Sequence, residues 1–412
     1  MRPVGSIHRD PRLIPLRTGF IDFVSSNMSE QSTRNEALPR GIPDDRPAEG
    51  DDSAPVSFRL DELRPWGIAA YVAAGMAADD AATVVDNQLW SDRRGVDTHG
   101  FQRVSWYVNW FRDGTTDPAA QCEIVTRTPS VLVADGHHGL GQLVITRFME
   151  QLIEAARESG LVVGVIRNSN DWGCGANYPY RAAEAGFVCY GTTTSVPNLA
   201  PFGSRRKLFG NNPIVWTFPR RDQPPIVLDM AITPVALGKV LRARSEGAEI
   251  PAEWGFLDRD GNPTVDPDVA MRGIVPAIGG YKGIGMVTAS NIAAGILAGS
   301  AHTGDVAVGR RGQFFLLMDP GVFRDREGYF DDIEEMVAQI RDAGEEDVLP
   351  GQTVYLPGEL EQLEMDRRSA AGTVSYPASV VRSLSRVGDE MGVPFECTPV
   401  AAAAHGLLDT SP

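Results

Sequence analysis

The sequence has little cysteine: four residues in a chain of 412, at Cys122, Cys174, Cys189 and Cys397. None of them forms a Cys-x-x-Cys pair, which excludes the paired thiols of a thioredoxin-like motif and the paired ligands of a common zinc site. Four cysteines are also too few for a disulfide scaffold, and a chain of this length buries a large core without one. We therefore expect a reduced, cytoplasmic protein.

Positive charge is scarce relative to negative charge. The chain has 38 Lys and Arg against 54 Asp and Glu, a net charge of −16. Nucleic-acid binders and proteins that dock on anionic membranes need a basic face, so we expect neither partner. The longest apolar stretch, 286–299, is too short for a membrane span and contains Thr288, Ser290 and Asn291. A small-molecule substrate, even an anionic one, fits if local arginines outweigh the overall charge.

Several familiar site motifs are absent as well. No Gly-x-Gly-x-x-Gly follows a strand-like segment, and there is no phosphate-binding P-loop, Gly-x-Ser-x-Gly elbow or His-Glu-x-x-His motif. The adjacent His137 and His138 lie between glycines, a pattern typical of a surface turn. The sequence therefore argues against the common dinucleotide, P-loop, hydrolase and zinc-protease classes, and we expect no metal.

The pattern of apolar residues divides the chain. Residues 1–55 hold 7 of the 29 prolines and mixed charges, which is typical of a disordered extension. Helical spacing dominates up to residue 128, and short apolar runs then alternate with helical segments. That alternation predicts an α/β sheet flanked by helices. The clearest strand-like runs are 130–134, 161–166, 187–194, 214–218, 226–228 and 312–318.

One segment stands out for its chemistry. His99, Arg103 and Tyr107 follow one another at intervals of four residues, so on a helix they would share one face. Such a face can protonate an oxyanion, clamp a carboxylate through the arginine fork and orient a substrate. A solvated amphipathic face is the alternative interpretation.

Polar loops follow the predicted strands. Asp171, Ser195, Asp229 and the glycine-rich stretch at Gly280 all lie just after or between apolar runs. The ends of strands in α/β proteins are where ligands bind. Any one of these loops alone is an ordinary turn, but together they predict a ligand site.

In this order, the segments resemble the malate/L-lactate dehydrogenase family, which also contains sulfolactate, ureidoglycolate and Δ1-piperideine-2-carboxylate oxidoreductases. The resemblance runs from about residue 60 to residue 392. It rests on Gly95–Gly100 with Arg103, Asp135–Gln142, Asn168–Asn170, Pro201–Gly203, Asn212–Pro213, Asp229–Ala231, Gly238–Lys239, Pro251–Trp254, Asp260–Thr264, Gly279–Gly283 and Leu356–Glu359.

The resemblance implies an α/β fold of the sulfolactate dehydrogenase type, unlike the ordinary Rossmann malate dehydrogenase. It implies a nicotinamide-binding domain on a mixed sheet at 129–289, a helical substrate and dimerisation domain from 56–128 and 290–396, and a tail at 397–412. It also implies a homodimer and an NADH or NADPH cofactor, with the choice between the two left open. The implied reaction moves hydride between this cofactor and a small carboxylate-bearing substrate.

The resemblance also assigns roles to individual residues. His99 corresponds to a catalytic histidine beside the substrate and the nicotinamide, and Thr98 stands where the family often has serine. Arg103 corresponds to the arginine that holds the substrate carboxylate, with Tyr107 nearby. The remaining positions correspond to cofactor contacts, a role that His99 shares: Ser195, Asp229, Met230, Ala231, Lys239, Gly280, Lys282 and Gly283.

One departure from the family changes the expected chemistry. The family usually has Asn-Ser-Asn-His, with that histidine as acid/base, but this chain has Asp171 there, and Val196 replaces a supporting aspartate found in some members. A free aspartic acid has a pKa of about 3.9, so Asp171 donates a proton only if burial raises that value by several units. If ionised, it stabilises a positive charge instead.

We therefore hypothesise reduction of a C=N bond or action on an amino-bearing substrate, because an iminium carbon accepts hydride without a proton in the same step. The alternatives are a 2-hydroxy/2-oxo acid dehydrogenase that uses His99 as acid/base, an enzyme of a specialised pathway with an unfamiliar substrate, and a catalytically weak cofactor-binding homologue.

Overall fold

The computed structural model describes residues 54–245, 247–342, 348–349 and 352–401, so most of the predicted extension at 1–55 and of the tail at 397–412 lies outside the described residues. The strands are β1 (Val56–Arg59), β2 (Glu123–Arg127), β3 (Val131–Asp135), β4 (Leu161–Ser169), β5 (Val188–Thr193), β6 (Ile214–Phe218), β7 (Ile226–Met230), β8 (Arg311–Met318) and β9 (Thr373–Tyr376). The helices are α1 (Leu60–Ala73), α2 (Ala78–Arg93), α3 (Val104–Arg112), α4 (Gly141–Ser159), α5 (Asn177–Glu184), α6 (Leu237–Ser245), α7 (Pro267–Arg272), α8 (Tyr281–Asn291), α9 (Pro320–Phe323), α10 (Arg326–Arg341), α11 (Glu359–Ala371) and α12 (Ala378–Met391).

Within these ranges, seven strands form one mixed sheet in the order β2-β3-β4-β8-β5-β6-β7. Only β3 and β4 run parallel, with Val131 opposite Val163, and all other neighbours run antiparallel. β8 is buried on alternate residues and pairs with β4 on one side and β5 on the other. The expected mixed α/β sheet is confirmed.

The sheet is covered by α4 and α5, whose apolar faces complete the largest core. Gly164 in β4 lets α4 approach closely, because a Cβ there would lie 2.4 Å from the Leu152 side chain. α4 ends at Gly160, which adopts the left-handed conformation that glycine tolerates best. β3, β4 and β5 run in the same direction, so their carboxyl ends lie at one edge of the sheet.

A second core joins both ends of the described chain. β1 and β9 pair antiparallel, with Phe58 opposite Val374. Helices α1, α2, α3 and α12 pack on this small sheet around an aromatic cluster that includes Trp66, Phe101 and Tyr376. A third core, at the α6, α7 and α8 segments, lies beside the main sheet.

Two strands lie outside the range expected for the sheet, 129–289. β2 begins before it, and β8, which matches the strand predicted at 312–318, comes from the range 290–396 that was assigned to the helical domain. Apolar alternation predicts a strand at 312–318. It does not predict which strands pair with it, because strand order in a sheet depends on residues far apart in sequence. In the described part of the chain, no helix is long and apolar enough to cross a membrane.

Phe315 tests the central position of β8. Its ring is fully buried against Phe148, Trp172 and Tyr178. We expect Phe315→Ala to lower the free energy of unfolding by about 3–5 kcal/mol, because it leaves a cavity in the main core. Urea denaturation followed by circular dichroism measures this. The control Val125→Ala, at an edge-strand side chain that is 40% exposed, should stay within about 0.5 kcal/mol of wild type; equal effects of the two changes would contradict the assignment.

Candidate active site

The predicted catalytic segment is a pair of short turns that leads into a helix. Asp97–His99 and Phe101–Arg103 each form one 3₁₀ turn, and α3 begins at Val104. The prediction that His99, Arg103 and Tyr107 share one continuous helical face is therefore wrong for His99, because Gly100 breaks the helix with an extended conformation. The side chains of Arg103 and Tyr107 nevertheless both reach Asp171.

Asp171 is the centre of the site. It follows β4, is 5% exposed, and both of its carboxylate oxygens are engaged. Arg103 donates to Oδ2 at 3.1 Å and Tyr107 donates to the same oxygen at 3.0 Å. Arg311, at the start of β8, donates to Oδ1 at 3.0 Å.

The contacts decide the charge of Asp171. Burial alone raises the pKa of a carboxyl, but here the charges of Arg103 and Arg311 and the hydrogen bond from Tyr107 hold the pKa of Asp171 well below its ordinary value. Asp171 is thus a fixed negative charge rather than a proton donor at neutral pH. An ionised Asp171 stabilises positive charge, which is the second of the two roles stated for it above.

Arg311 is the functional residue that sequence reasoning missed. It lies next to the site because β8 runs antiparallel to β4, which places Arg311 opposite Ser169. Its side chain is 14% exposed and its Nε has no partner within the described residues. The sequence did offer one signal, the Arg310-Arg311 pair before a predicted strand. Only the pairing of β8 with β4 shows that Arg311 lies beside Asp171.

His99 is half-buried beside this charge cluster. Thr98 Oγ1 and His99 Nδ1 are 2.9 Å apart, so the threonine hydroxyl fixes the ring orientation and leaves Nε2 for a ligand. The pKa of His99 falls to about 4, chiefly because the protein desolvates the ring, with a further lowering by Arg103 and an opposing rise from Asp171. The imidazole is therefore neutral at pH 7 and is able to accept a proton.

The loops expected to hold the cofactor are joined by hydrogen bonds. Ser195 Oγ donates to Asn211 Oδ1 at 2.7 Å. The Asn211 carbonyl accepts from Ile232, and the Ile232 carbonyl accepts from Ile278, at 2.9 and 3.3 Å. The loop after β5, the turn after β7 and the glycine stretch before α8 thus form one connected surface.

The glycine stretch has the open backbone that a dinucleotide needs. Gly279 and Gly280 have φ of 56° and 60°, and both are exposed at the start of α8. Lys239 and Lys282 are exposed, and their charges suit a diphosphate. These residues fit a nicotinamide dinucleotide.

The other predicted cofactor residues have varied surroundings. Next to the predicted Lys239, Gly238 lies against Thr98, since a Cβ on Gly238 would be 2.9 Å from the Thr98 methyl group, and this contact joins α6 to the catalytic turn. Asp229 accepts from the Ala176 main chain at 2.8 Å, and Met230 and Ala231 are half-buried. Gly283 is buried, and a Cβ there would lie 2.2 Å from a main-chain oxygen, so the close packing at the start of α8 requires glycine.

Comparison with known proteins identifies the class. The family model described as malate/L-lactate dehydrogenase matches residues 58–385. The chain is thus a nicotinamide-dependent oxidoreductase, a dehydrogenase or reductase. It belongs to the malate/L-lactate dehydrogenase family.

Three relatives illustrate the similarity. The chain is 30% identical to the malate dehydrogenase of Pyrococcus horikoshii over 346 residues, which is 81% of this chain and 95% of the relative. The structure of sulfolactate dehydrogenase from Methanocaldococcus jannaschii matches with a TM-score of 0.75 at 27% identity, over 82% of this chain and 98% of the other. That of Δ1-piperideine-2-carboxylate reductase from Pseudomonas syringae matches with a TM-score of 0.71 at 26% identity, over 81% of this chain and all of the other.

Removing the central carboxylate tests the charge cluster. We expect Asp171→Ala to lower the free energy of unfolding by about 3 kcal/mol, because it leaves two largely buried arginines without their shared partner. Thermal and urea unfolding of the purified protein measure the change. As a control, Asp61→Ala breaks the exposed pair with Arg59 and should leave the unfolding transition close to that of wild type, because exposed ion pairs contribute little. An Asp171→Ala protein as stable as wild type would show that the arginines do not depend on the carboxylate.

Proposed function

We propose that the protein is an NAD(P)-dependent dehydrogenase that interconverts a 2-hydroxy and a 2-oxo carboxylate, with His99 as the proton-transfer residue. The observation that carries the proposal is the pairing of one ionised carboxylate, Asp171, with two arginines beside a neutral histidine. NADH and NADPH both remain candidates for the cofactor.

The charges of the site favour an anionic substrate. Arg103 and Arg311 contribute two positive charges and Asp171 one negative charge, so the cluster has a net charge of about +1. Arg103 donates through Nε to the Thr98 carbonyl and through one terminal nitrogen to Asp171. Its other terminal nitrogen remains for a substrate carboxylate, and the guanidinium stacks on Trp106 with 4.1 Å to the ring centre.

Proton transfer follows from the state of His99. A neutral imidazole accepts the hydroxyl proton of a 2-hydroxy acid at Nε2. The negative charge of Asp171 stabilises the imidazolium that results, since it acts to raise the pKa of His99. When bound, the nicotinamide ring would accept the hydride from the 2-hydroxy acid or donate it to the 2-oxo acid. The residues that would hold the cofactor are those of the connected loops, with Ser195, Lys239, Gly280 and Lys282 foremost.

A second candidate is reduction of a C=N bond. A charged imine accepts hydride without a proton in the same step, so its reduction does not depend on the protonation of His99. The similarity to a Δ1-piperideine-2-carboxylate reductase structure adds support. Asp171, however, is already neutralised by two arginines, so it offers little attraction to a cationic substrate, and we place this candidate second.

We further propose a cytoplasmic homodimer with the two domains expected from the sequence. Ile292, Ile296 and Leu297 follow α8 and are each more than half exposed. Adjacent exposed apolar residues of this kind are typical of a surface that a second subunit covers.

A substrate panel separates the two functions. Absorbance of the reduced nicotinamide is followed with NADH and with NADPH over a set of 2-oxo acids, each with and without methylamine. We expect consumption with a 2-oxo acid alone, because the site binds carboxylates and carries a histidine for the proton. Consumption only when methylamine is present would favour C=N reduction instead. Absence of turnover in every combination, with cofactor binding intact by fluorescence titration, would contradict both.

Arg103 has a distinct kinetic prediction. We expect Arg103→Ala to lower kcat/KM by about 100-fold, the scale of a lost charge-assisted contact to a carboxylate. Arg103→Lys should recover part of this, because lysine keeps the charge but loses the fork. Steady-state kinetics on the best substrate of the panel measure both. The control Arg112→Ala removes an exposed arginine paired with Glu390 and should leave kcat/KM unchanged. Wild-type kinetics in Arg103→Ala would remove the substrate-binding role.

A further inference from the structure

A buried carboxyl lies directly beneath the catalytic turn. Asp92, near the end of α2, is fully buried. Its Oδ2 accepts a hydrogen bond from the Phe101 main-chain N–H at 2.8 Å and from the Tyr376 hydroxyl at 2.7 Å. Asp92 thus connects the chain between His99 and Arg103 to β9.

The other carboxyl oxygen of Asp92, Oδ1, lies in close contact with the main chain at Gly100. Oδ1 is buried and has no hydrogen-bond partner among the described residues. A Cβ on Gly100 would lie 1.8 Å from this oxygen, so only glycine fits there. The main chain immediately after His99 therefore rests on the carboxyl group itself.

Within the described part of the chain, no cationic side chain forms a hydrogen bond or ion pair with this carboxyl group. The nearby Arg368 of α11 donates to the Asp92 main-chain oxygen at 2.7 Å and to the Asp97 carboxylate, but not to the Asp92 side chain. The donors to Asp92 are uncharged, a hydroxyl and an amide. A buried carboxylate without a cation is costly, so the surroundings favour the neutral acid.

From this geometry we infer that Asp92 is a positioning residue, which acts as a neutral carboxyl that holds the main chain at Phe101 and so fixes His99 and Arg103. Asp97 and Arg368 add a second connection between the same turn and the C-terminal segment. The inference rests on the proposed function in one respect, namely that His99 and Arg103 are the reacting residues.

Ionisation of Asp92 is expected to loosen the turn. Its pKa is raised to about 8, first by burial and then by the negative charge of Asp97. The facing charged groups are Asp97 on the turn and Glu364, Arg367 and Arg368 on α11, where both arginines pair with Glu364. Tyr376 faces the carboxyl from β9. Because the folded pKa lies above the unfolded value of about 3.9, the contribution of Asp92 to stability is full below about pH 4, declines as pH rises, and is lost once pH passes the folded pKa of about 8.

The first test needs no substrate. Hydrogen–deuterium exchange of peptides that cover residues 97–103 is compared in wild type, Asp92→Asn and Asp92→Ala. We expect Asp92→Ala to speed exchange of this segment about tenfold, since the Phe101 N–H loses its acceptor, and Asp92→Asn to stay within about threefold. The control Asp86→Ala removes an exposed aspartate on the same helix, paired with Arg64, and should leave the segment at the wild-type rate. Equal exchange in Asp92→Ala and wild type would overturn the inference.

The second test is a pH profile of the same segment. After correction for intrinsic exchange, wild-type protection should fall in a broad step from about pH 5 to about pH 8 and level off above it, whereas Asp92→Asn should lose this step because its amide does not ionise. A step that persists in Asp92→Asn would overturn the inference. If Asp92→Ala fails to fold, Tyr376→Phe is used in its place. This variant removes the hydrogen bond from the Tyr376 hydroxyl to Asp92 and retains the aromatic ring.

Turnover gives a third readout on the substrate that the panel identifies. The alkaline decline of kcat should vanish in Asp92→Asn while KM for the cofactor stays within about twofold of wild type. Since the exchange measurements stand without activity, failure of the proposed reaction would not be mistaken for failure of this inference.

Discussion

The ionised carboxylate of Asp171, held between Arg103 and Arg311, is the constraint on which the rest of the site depends. It neutralises one of two arginines whose side chains are each only 14% exposed, and it leaves one positive charge for a ligand. It also bears on His99, whose neutrality reflects the balance between desolvation, Arg103 and this carboxylate. A histidine at position 171 would leave both arginines without this partner. The aspartate and Arg311 are therefore best understood together.

The fold brings these groups together from distant parts of the chain. Asp171 follows β4, Arg311 begins β8, and Arg103 precedes α3. The antiparallel pairing of β4 with β8 places Asp171 next to Arg311. The packing of α3 in the helical core brings Arg103 to the same place. The site is thus rigid where charges meet, and its more open part is the glycine-bearing surface before α8.

Local patterns predicted much of this arrangement, and the limits are physical. The four-residue spacing correctly brought Arg103 and Tyr107 to one place, although His99 lies on its own turn because of Gly100. The family, the mixed sheet and the nicotinamide dependence are confirmed. Arg311 was not found, because its position depends on pairing between strands more than 140 residues apart. The close packing at Gly283, where a Cβ would lie 2.2 Å from a main-chain oxygen, was not predicted either, because it depends on the three-dimensional position of α8 and not on the motif. The assigned roles of the remaining residues stay predictions.

The position of β8 has a consequence for how the protein is made. β4 and β5 are close in sequence, yet they do not pair with each other, because β8 lies between them. During synthesis, both strands leave the ribosome well before residue 318, and their facing edges have no partner in the meantime. Unpaired strand edges invite association with other chains. We expect the sheet to close late, and the nascent chain to depend on chaperones or on rapid elongation until β8 is inserted.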